Sequence, residues 1–406
     1  MRIAILGAGS TGVCAALELA GRGHTVDLYD ENAEPVVRAS RNNEGKVHLG
    51  LVYAKDRSLK TARTMIWGAL HFAVCLRRWI DLEPDDGSIS TAYYYGVHKG
   101  TMSRPEELKG HYDQRRTLFD DAYSATGLSY LGRDRTLTVE ELSRRELEKL
   151  VDQDWFLTAF RTSERGVEPR VVAERLRAAV RANPRIRFIS SARVTEVAWA
   201  GARRLRVSFR ADAEERTDTY DQVANCLWHG RLEIDARLGL SPERPWIYRY
   251  KLGGWVNVPL RPETVPSLTV VLGPFGDLVN YTRRGVYLSW YPVGMIGTSK
   301  ELQPPDWDAS LTATAGHTIV RRSYEEWLKR CPGLGAIDCA TEVVEPAGGV
   351  IFAWGETDID SQESRLHTRD EVGIHSVESY HSVNTGKYTM SPYLGYKTAE
   401  RILGIG

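Results

Sequence analysis

MRIAILGAGSTGVCAALELAGRGHTVDLYDENAEP (residues 1–35) decides the fold of this chain. RIAIL at 2–6 is a short apolar strand, GAGSTG at 7–12 a tight turn, and the stretch from about Thr11 to Arg22 a helix that Gly23 stops. HTVDLYD at 24–30 is a second strand, so the segment predicts a βαβ unit with a parallel sheet. Gly7, Gly9 and Gly12 form GxGxxG between strand and helix. Gly7 permits the turn, Gly9 admits a pyrophosphate to the backbone, and Gly12 lets the helix pack on the strand. Ser10 and Thr11 open a helix whose free N–H groups and positive dipole end favour phosphate. Asp30, 18 residues after Gly12, closes the second strand and can accept ribose hydroxyls. An acid there repels a 2′-phosphate, which disfavours NADP.

The rest of the composition bounds the answer. The chain has 406 residues, enough for two domains with a buried core. Hydrophobic residues make up 42% and mean hydropathy is −0.35, the composition of a globular protein. No apolar run reaches the roughly 18 residues of a membrane span. The N-terminal apolar stretch is broken by Gly7, Gly9 and Gly12, which does not suit a signal peptide, so a cytoplasmic protein is expected. The 53 basic and 53 acidic residues cancel, so nothing points to nucleic acid. The charged stretch RRLRVSFRADAEER (203–216) suits the solvated face of a strand pair. Cys14, Cys75, Cys226, Cys331 and Cys339 are odd in number and scattered, without CxxC, so neither structural disulfides nor a metal site is expected.

Further along, DRSLKTARTMIWGALHFAVCLRRWIDL (56–82) carries Ala62, Met65, Ile66, Ala69, Phe72, Ala73 and Leu76 at helical spacing. Residues 85–135, rich in Gly, Tyr, Asp and Arg, read as strands and loops. TVEELSRRELEKL (138–150) reads as a helix opened by a capping box at its Thr. EPRVVAERLRAAVRANP predicts another helix, and the segments from Arg185 to Ala211 two or three strands. Residues 245–300 are strand-rich, a helix is expected near 314–330, and PYLGYKTAERIL closes the chain as a helix.

The segment RASRNNEGKVHLGLVYAKDRSLKTARTMIWGA (38–69) resembles the second segment of FAD-dependent oxidoreductases of the D-amino-acid-oxidase type. It is most similar to the L-2-hydroxyglutarate and glycerol-3-phosphate dehydrogenase branches. These share an Asn-x-Gly-x-x-His-x-Gly-x-x-Tyr pattern, here Asn43, Gly45, His48, Gly50 and Tyr53. The resemblance implies that Ser40, Arg41, Asn42 and Asn43 meet the pyrophosphate and ribityl chain. It places Lys46, Val47 and His48 near the flavin ring. RGVEPRVVAERLRAAV and ISSARVTEVAW resemble the helix and strand pair beside the adenine, with Val194 as the backbone contact. YDQVANCLWHGR resembles a returning strand, but Trp228 stands where the family has Gly. HSVNTGKYTMSPYLGYKTAERIL resembles the closing segment, which puts Thr385, Gly386, Lys387, Tyr388 and Thr389 at the ring's N1 and C2 carbonyl edge.

The resemblance implies a fold and an activity. The fold is α/β, a Rossmann-like FAD-binding domain interwoven with a strand-rich α+β substrate domain. FAD-binding parts fall at 1–84, 161–245 and 341–406, and substrate parts at 85–160 and 246–340. The implied reaction is hydride transfer from a CH–OH or CH–N group of a small molecule to non-covalent FAD. His48 is the expected base and Lys387 the cation beside the reduced ring. Of the alternating residues in IYRYKL, Arg249 is the candidate carboxylate ligand, whereas Lys251 is expected on an exposed strand face. Tyr287, with Ser289 on one face of GVYLSWYP, is expected against the substrate. Two alternatives stay open: a flavin monooxygenase fed by NAD(P)H, and a non-redox flavoprotein.

Overall fold

The computed structural model describes every residue except 84–86, 202, 338–343, 360, 362–363, 370 and 406, so Cys339 lies outside the described residues. Two sheets organise the chain. In the first, the strands run in the order Gly373–Val377, Tyr380–Asn384, Gln222–Asn225, Ile3–Leu6, Val26–Tyr29, Ile186–Ile189. All neighbours are parallel except the outermost pair, Gly373–Val377 with Tyr380–Asn384. Strands Ile3–Leu6 and Val26–Tyr29 are buried throughout, as parallel strands covered on both faces must be. Helix Ser10–Gly21 joins them and packs against the closing helix Ser391–Leu403. Gly395 allows this approach, because a Cβ there would lie 2.5 Å from Cys14 Cβ.

Helix Lys60–Leu76 runs beside the closing helix, and the seven periodic residues from Ala62 to Leu76 are all buried. Helix Pro169–Ala182 buries Val171, Val172, Leu176 and Val180 on one stripe. Burial stabilises each such large apolar side chain by roughly 1.5–3 kcal/mol. Strands Arg193–Trp199, Leu205–Ala211 and Glu214–Tyr220 form a separate antiparallel sheet. Its outer strand carries the exposed charges of residues 214–216, the solvated face expected there.

The second sheet has nine strands, with Trp246–Val256 pairing to Val286–Trp290, Met295–Ser299 and Val344–Trp354. Ser267–Val271 and Gly276–Asn280 connect this group to Tyr93–His98 and Phe156–Thr162. Val344–Trp354 belongs to this sheet along its whole length, so the second sheet extends past the expected boundary at 340. Lys46–Val47 and Arg165–Gly166 form a small antiparallel pair of their own.

Two local expectations are corrected. Residues 85–135 hold a 22-residue helix, Pro105–Thr126, started by Pro105 and by Glu106 and Glu107 in its first turn. Leu108, Tyr112, Arg115, Leu118 and Phe119 form its buried stripe, and an arginine within that stripe hides the apolar period. In 138–150, Val139–Glu141 is a strand that pairs with Phe156–Thr162, and the helix starts later, at Arg144. The capping box is Ser143 with Glu146, where the Glu146 N–H donates to Ser143 Oγ.

Candidate active site at the junction of the two sheets

One cavity of about 430 Å³ runs from the first turn to the second sheet. At its first end the chain binds with backbone. Gly7 has φ +93, and a Cβ on Gly12 would lie 2.0 Å from the Gly7 carbonyl oxygen, so helix and turn touch directly. The Ser10 N–H donates to Ser40 Oγ at 3.0 Å, while Ser10 Oγ is buried with no partner. The Ala8 N–H donates to Asp30 Oδ2 at 2.7 Å, and Asn32 donates twice to Oδ1. A carboxylate has about four acceptor sites, so one remains for a ribose hydroxyl. Burial raises the Asp30 pKa, and hydrogen bonds from Asn32 and Ala8 oppose that shift. Ala192, Arg193 and Val194 line the same end.

The loop after Ser40 is shaped by its own side chains. Asn43 Nδ2 donates to the Ala39 carbonyl at 2.9 Å, and Asn43 Oδ1 accepts the Gly45 N–H at 2.8 Å. Gly45 has φ +73, and a Cβ there would lie 2.4 Å from Tyr281 Oη. The loop leads to Lys46, which is 2% exposed, with its ammonium 4.6 Å from the Tyr93 ring centroid. Lys46 Nζ donates to Thr269 Oγ1 and, at 2.7 Å, to Asp277 Oδ1. Lys251 Nζ stands 3.5 Å from the other Asp277 oxygen. Burial would raise the Asp277 carboxyl, but the Lys46 and Lys251 ammoniums hold it far below its usual range.

His48 is buried, its N–H donates to Thr389 Oγ1 at 2.9 Å, and its Nδ1 has no partner. Burial and the Lys387 and Lys46 ammoniums push its pKa well below the usual value. The imidazole is therefore neutral at neutral pH. Lys387 is itself held down to about 8, first by burial and then by Arg369, Arg249 and Lys251, against the opposing pull of Glu44. Arg249 Nη1 donates to Tyr291 Oη and to Asp358 Oδ1, both at 2.9 Å, while its buried Nε lacks a partner. Arg369 Nη1 donates to the Thr368 carbonyl at 2.9 Å, and its buried Nε has no partner among the described residues.

The structure sorts the residues expected from sequence. Gly7, Gly9, Ser10, Thr11, Asp30, Ser40, Asn43, Lys46, His48, Val194, Arg249, Thr385, Gly386, Lys387 and Tyr388 line one cavity. Gly12 lies beneath the turn. Thr389 stands behind the wall, bonded to His48 N–H and to the Lys46 carbonyl. Four expected residues are corrected. Arg41 points away to Glu345 at 2.7 Å, and Asn42, which accepts from the Arg41 guanidinium, is likewise off the cavity wall. Val47 is a core residue whose carbonyl accepts Tyr130 Oη. Tyr287 packs on Trp255 with ring centroids 5.4 Å apart, inside the core.

Sequence reasoning missed other residues. Lys251 is turned inward, with a side chain 14% exposed and its ammonium against Asp277. Its period-two relation to Arg249 was the available signal. Asp277, Thr269, Tyr291 and Arg369 also line the cavity. Arg369 sits in irregular chain, where no periodicity marks a face. Trp228 takes φ +55, the left-handed backbone that suits glycine, and its indole N–H donates to the Val350 carbonyl at 2.8 Å. The glycine-type turn is thus kept with a tryptophan in it, and Trp228, His229 and Gly230 all line the cavity.

These features suit FAD. The turn, Ser10 Oγ and Asp30 match a dinucleotide's phosphate and ribose, and unpartnered buried atoms on His48, Tyr53 and Tyr388 await a polar ring. The family model described as FAD dependent oxidoreductase matches residues 2–348. No curated protein matches the chain. Among solved structures, iminodiacetate oxidase from Chelativorans sp. BNC1 aligns with a TM-score of 0.67 at 16% identity, covering 100% of this chain and 96% of that one. Glycine oxidase from Geobacillus kaustophilus aligns with a TM-score of 0.67 at 15% identity, covering 100% and 95%. L-alpha-glycerophosphate oxidase from Mycoplasma pneumoniae, solved with FAD bound, gives 0.65 at 12% identity, covering 99% and 94%.

Proposed function

We propose a reaction for a chain that belongs to the FAD dependent oxidoreductase family: oxidation of a CH–N bond in a small amine that carries a carboxylate. When bound, FAD supplies the two-electron acceptor. The first turn, Ser10, Ser40 and Asp30 would hold its ADP half, while Lys46, His48, Lys387 and Tyr388 would border the ring without a covalent bond to it. The chain's own residues bind and orient the substrate. Arg249 and Arg369 offer guanidinium N–H groups to a carboxylate.

The observation that carries the choice of CH–N over CH–OH is the setting of His48, buried on the cavity wall with Nδ1 unpartnered among the described residues. An alcohol must hand its hydroxyl proton to a base as hydride leaves. The base expected from sequence is His48, but a proton on Nδ1 would create a third buried cation beside Lys46 and Lys387. An amine needs no such acceptor if it binds neutral, because the product iminium keeps its N–H. The same cations favour the neutral amine. His48 Nδ1 is then a hydrogen-bonding partner that orients the substrate. The names of two similar structures, oxidases of iminodiacetate and of glycine, agree with this reading.

Anaerobic mixing of the FAD-loaded protein with matched amino and hydroxy acids tests it. Bleaching of the flavin by amino acids, with a rate that rises with pH as the amine loses its proton, is the expected result. Bleaching by hydroxy acids alone overturns the amine reading. Bleaching only by NADPH would make the protein a monooxygenase.

A further inference from the structure

Glu164 is a fully buried acid that the reaction proposed above does not use, and it lies off the cavity wall. Its backbone and its side chain bond in different directions. The backbone bonds on the second-sheet side, where its carbonyl accepts the Tyr93 N–H at 2.8 Å and its N–H donates to Thr162 Oγ1 at 3.2 Å. The side chain crosses to the strip Lys46–Leu49. One carboxylate oxygen accepts the Leu49 N–H, and the other accepts the Tyr95 hydroxyl. Burial pushes this carboxyl up, while the Lys46 ammonium and both hydrogen bonds pull it down.

The strip that carries His48 has only a short backbone ladder. Lys46 pairs with Gly166 and Val47 with Arg165, so the same antiparallel register would next set His48 opposite Glu164. There the Glu164 backbone is already bonded to Tyr93 and Thr162, and side chains take over from the ladder. In the peptide before the His48 Cα, Tyr130 Oη donates to the Val47 carbonyl at 2.8 Å and Thr389 Oγ1 accepts the His48 N–H at 2.9 Å. In the peptide after it, Glu164 accepts the Leu49 N–H. A carboxylate is a stronger acceptor of a backbone N–H than a neutral oxygen is. With both peptides held, the imidazole keeps only its own side-chain torsions. From this arrangement we infer that Glu164 is a positioning residue, whose hold on the Leu49 N–H fixes the direction in which His48 faces the cavity. The role is the same for a CH–N and a CH–OH substrate, so it does not depend on the choice between them.

Two variants separate the bond from the charge. Glu164→Gln keeps an oxygen for the Leu49 N–H and an amide N–H for Tyr95 Oη, but carries no charge. Glu164→Met keeps the length and loses the acceptor. The FAD-loaded proteins, isotope-labelled at histidine nitrogen, are compared by NMR, which needs no substrate. The chain has ten histidines, and His48→Gln identifies the His48 signals. In Glu164→Met the His48 signals are expected to shift or split while most of the others stay in place, and in Glu164→Gln they are expected to keep their wild-type positions. With the amino or hydroxy acid that bleaches the wild-type flavin, Glu164→Met is expected to slow bleaching at saturating acid by about tenfold or more, with the half-saturating concentration changed less than about twofold. Glu164→Gln should restore most of that rate. His48 signals that Glu164→Met leaves unmoved overturn the inference. So do signals of all the histidines moving together, which mark a general structural role. A Glu164→Gln protein as perturbed as Glu164→Met overturns it as well, because the charge and not the bond would then be acting. If Glu164→Met does not fold, Glu164→Asp, which withdraws the carboxylate by one methylene, is expected to shift the His48 signals, and unmoved signals there overturn the inference equally.

Discussion

At the Gly7–Gly12 turn the groups offered to a ligand are mainly backbone N–H groups, and the shape depends on missing side chains. At the far end of the cavity they are ammonium and guanidinium groups at the ends of long side chains. The first wall suits a ligand whose phosphates are always the same, because a backbone turn has one geometry. The second suits a ligand that defines specificity, because charge there is set by side chains supplied from four separate segments. The difference explains why the two walls fail differently when altered.

Gly12→Ala strikes the backbone wall at its tightest point. The added Cβ would lie 2.0 Å from the Gly7 carbonyl oxygen, an approach neither element can yield. Purified protein is expected to carry no FAD absorbance, with affinity for added FAD reduced more than 100-fold. Near-normal flavin content would break the claim that this wall works by exclusion of side chains.

Arg369→Met strikes the charged wall and should leave the first untouched. FAD content is expected to be normal, while kcat/KM for the proposed amino acid substrate falls by roughly 100-fold, the loss of a charge-assisted pair worth about 1.5–3 kcal/mol. A parallel loss of FAD would show that the two walls are not separate.

Lys387 gives a finer test, through pH. Its folded pKa is about 8 against an ordinary 10.5. Between those values the unfolded chain holds the proton and the folded chain does not, so this group makes the fold more stable as pH rises from about 8 to 10.5. Below about 8 the folded chain carries the buried charge and is penalised for it. The FAD-free protein is therefore expected to gain stability on Lys387→Met at pH 7, and that gain should shrink towards pH 10.5. Denaturant unfolding at both pH values measures it. A gain independent of pH would mean that Lys387 is not held down by its surroundings.

The smallest effect is expected at Tyr287. Its ring belongs to the core beside Trp255, so Tyr287→Phe should change stability by about 1 kcal/mol or less and leave KM unchanged. A KM change beyond twofold would return this residue to the substrate site.

Much of the first wall is legible in the chain order alone. The strand, turn, helix and acid occupy residues 3–30 without a break, and their function follows from local backbone geometry. The loop from Ser40 to Tyr53 is legible as a pattern, although Arg41, Asn42 and Val47 inside it turn elsewhere. The sheet wall is legible only as alternation. Period two says that Arg249 and Lys251 share a face and Tyr248 and Tyr250 the other, but not which face is covered. The helix Pro105–Thr126 was hidden for a related reason: it buries an arginine in its apolar stripe, so its period is visible only once its neighbours are known.

The sequence by itself therefore determined the βαβ start, the dinucleotide turn and the flavin-type loop, because each is encoded in contiguous residues with one backbone solution. Only the tertiary structure decided that Lys251 faces inward, that Arg369 joins Arg249, and that Lys46 and Lys387 flank His48. Those facts depend on contacts between segments up to some 340 residues apart, such as the His48 N–H bond to Thr389. The sign and size of a buried charge's effect are fixed by such neighbours, not by its place in the chain.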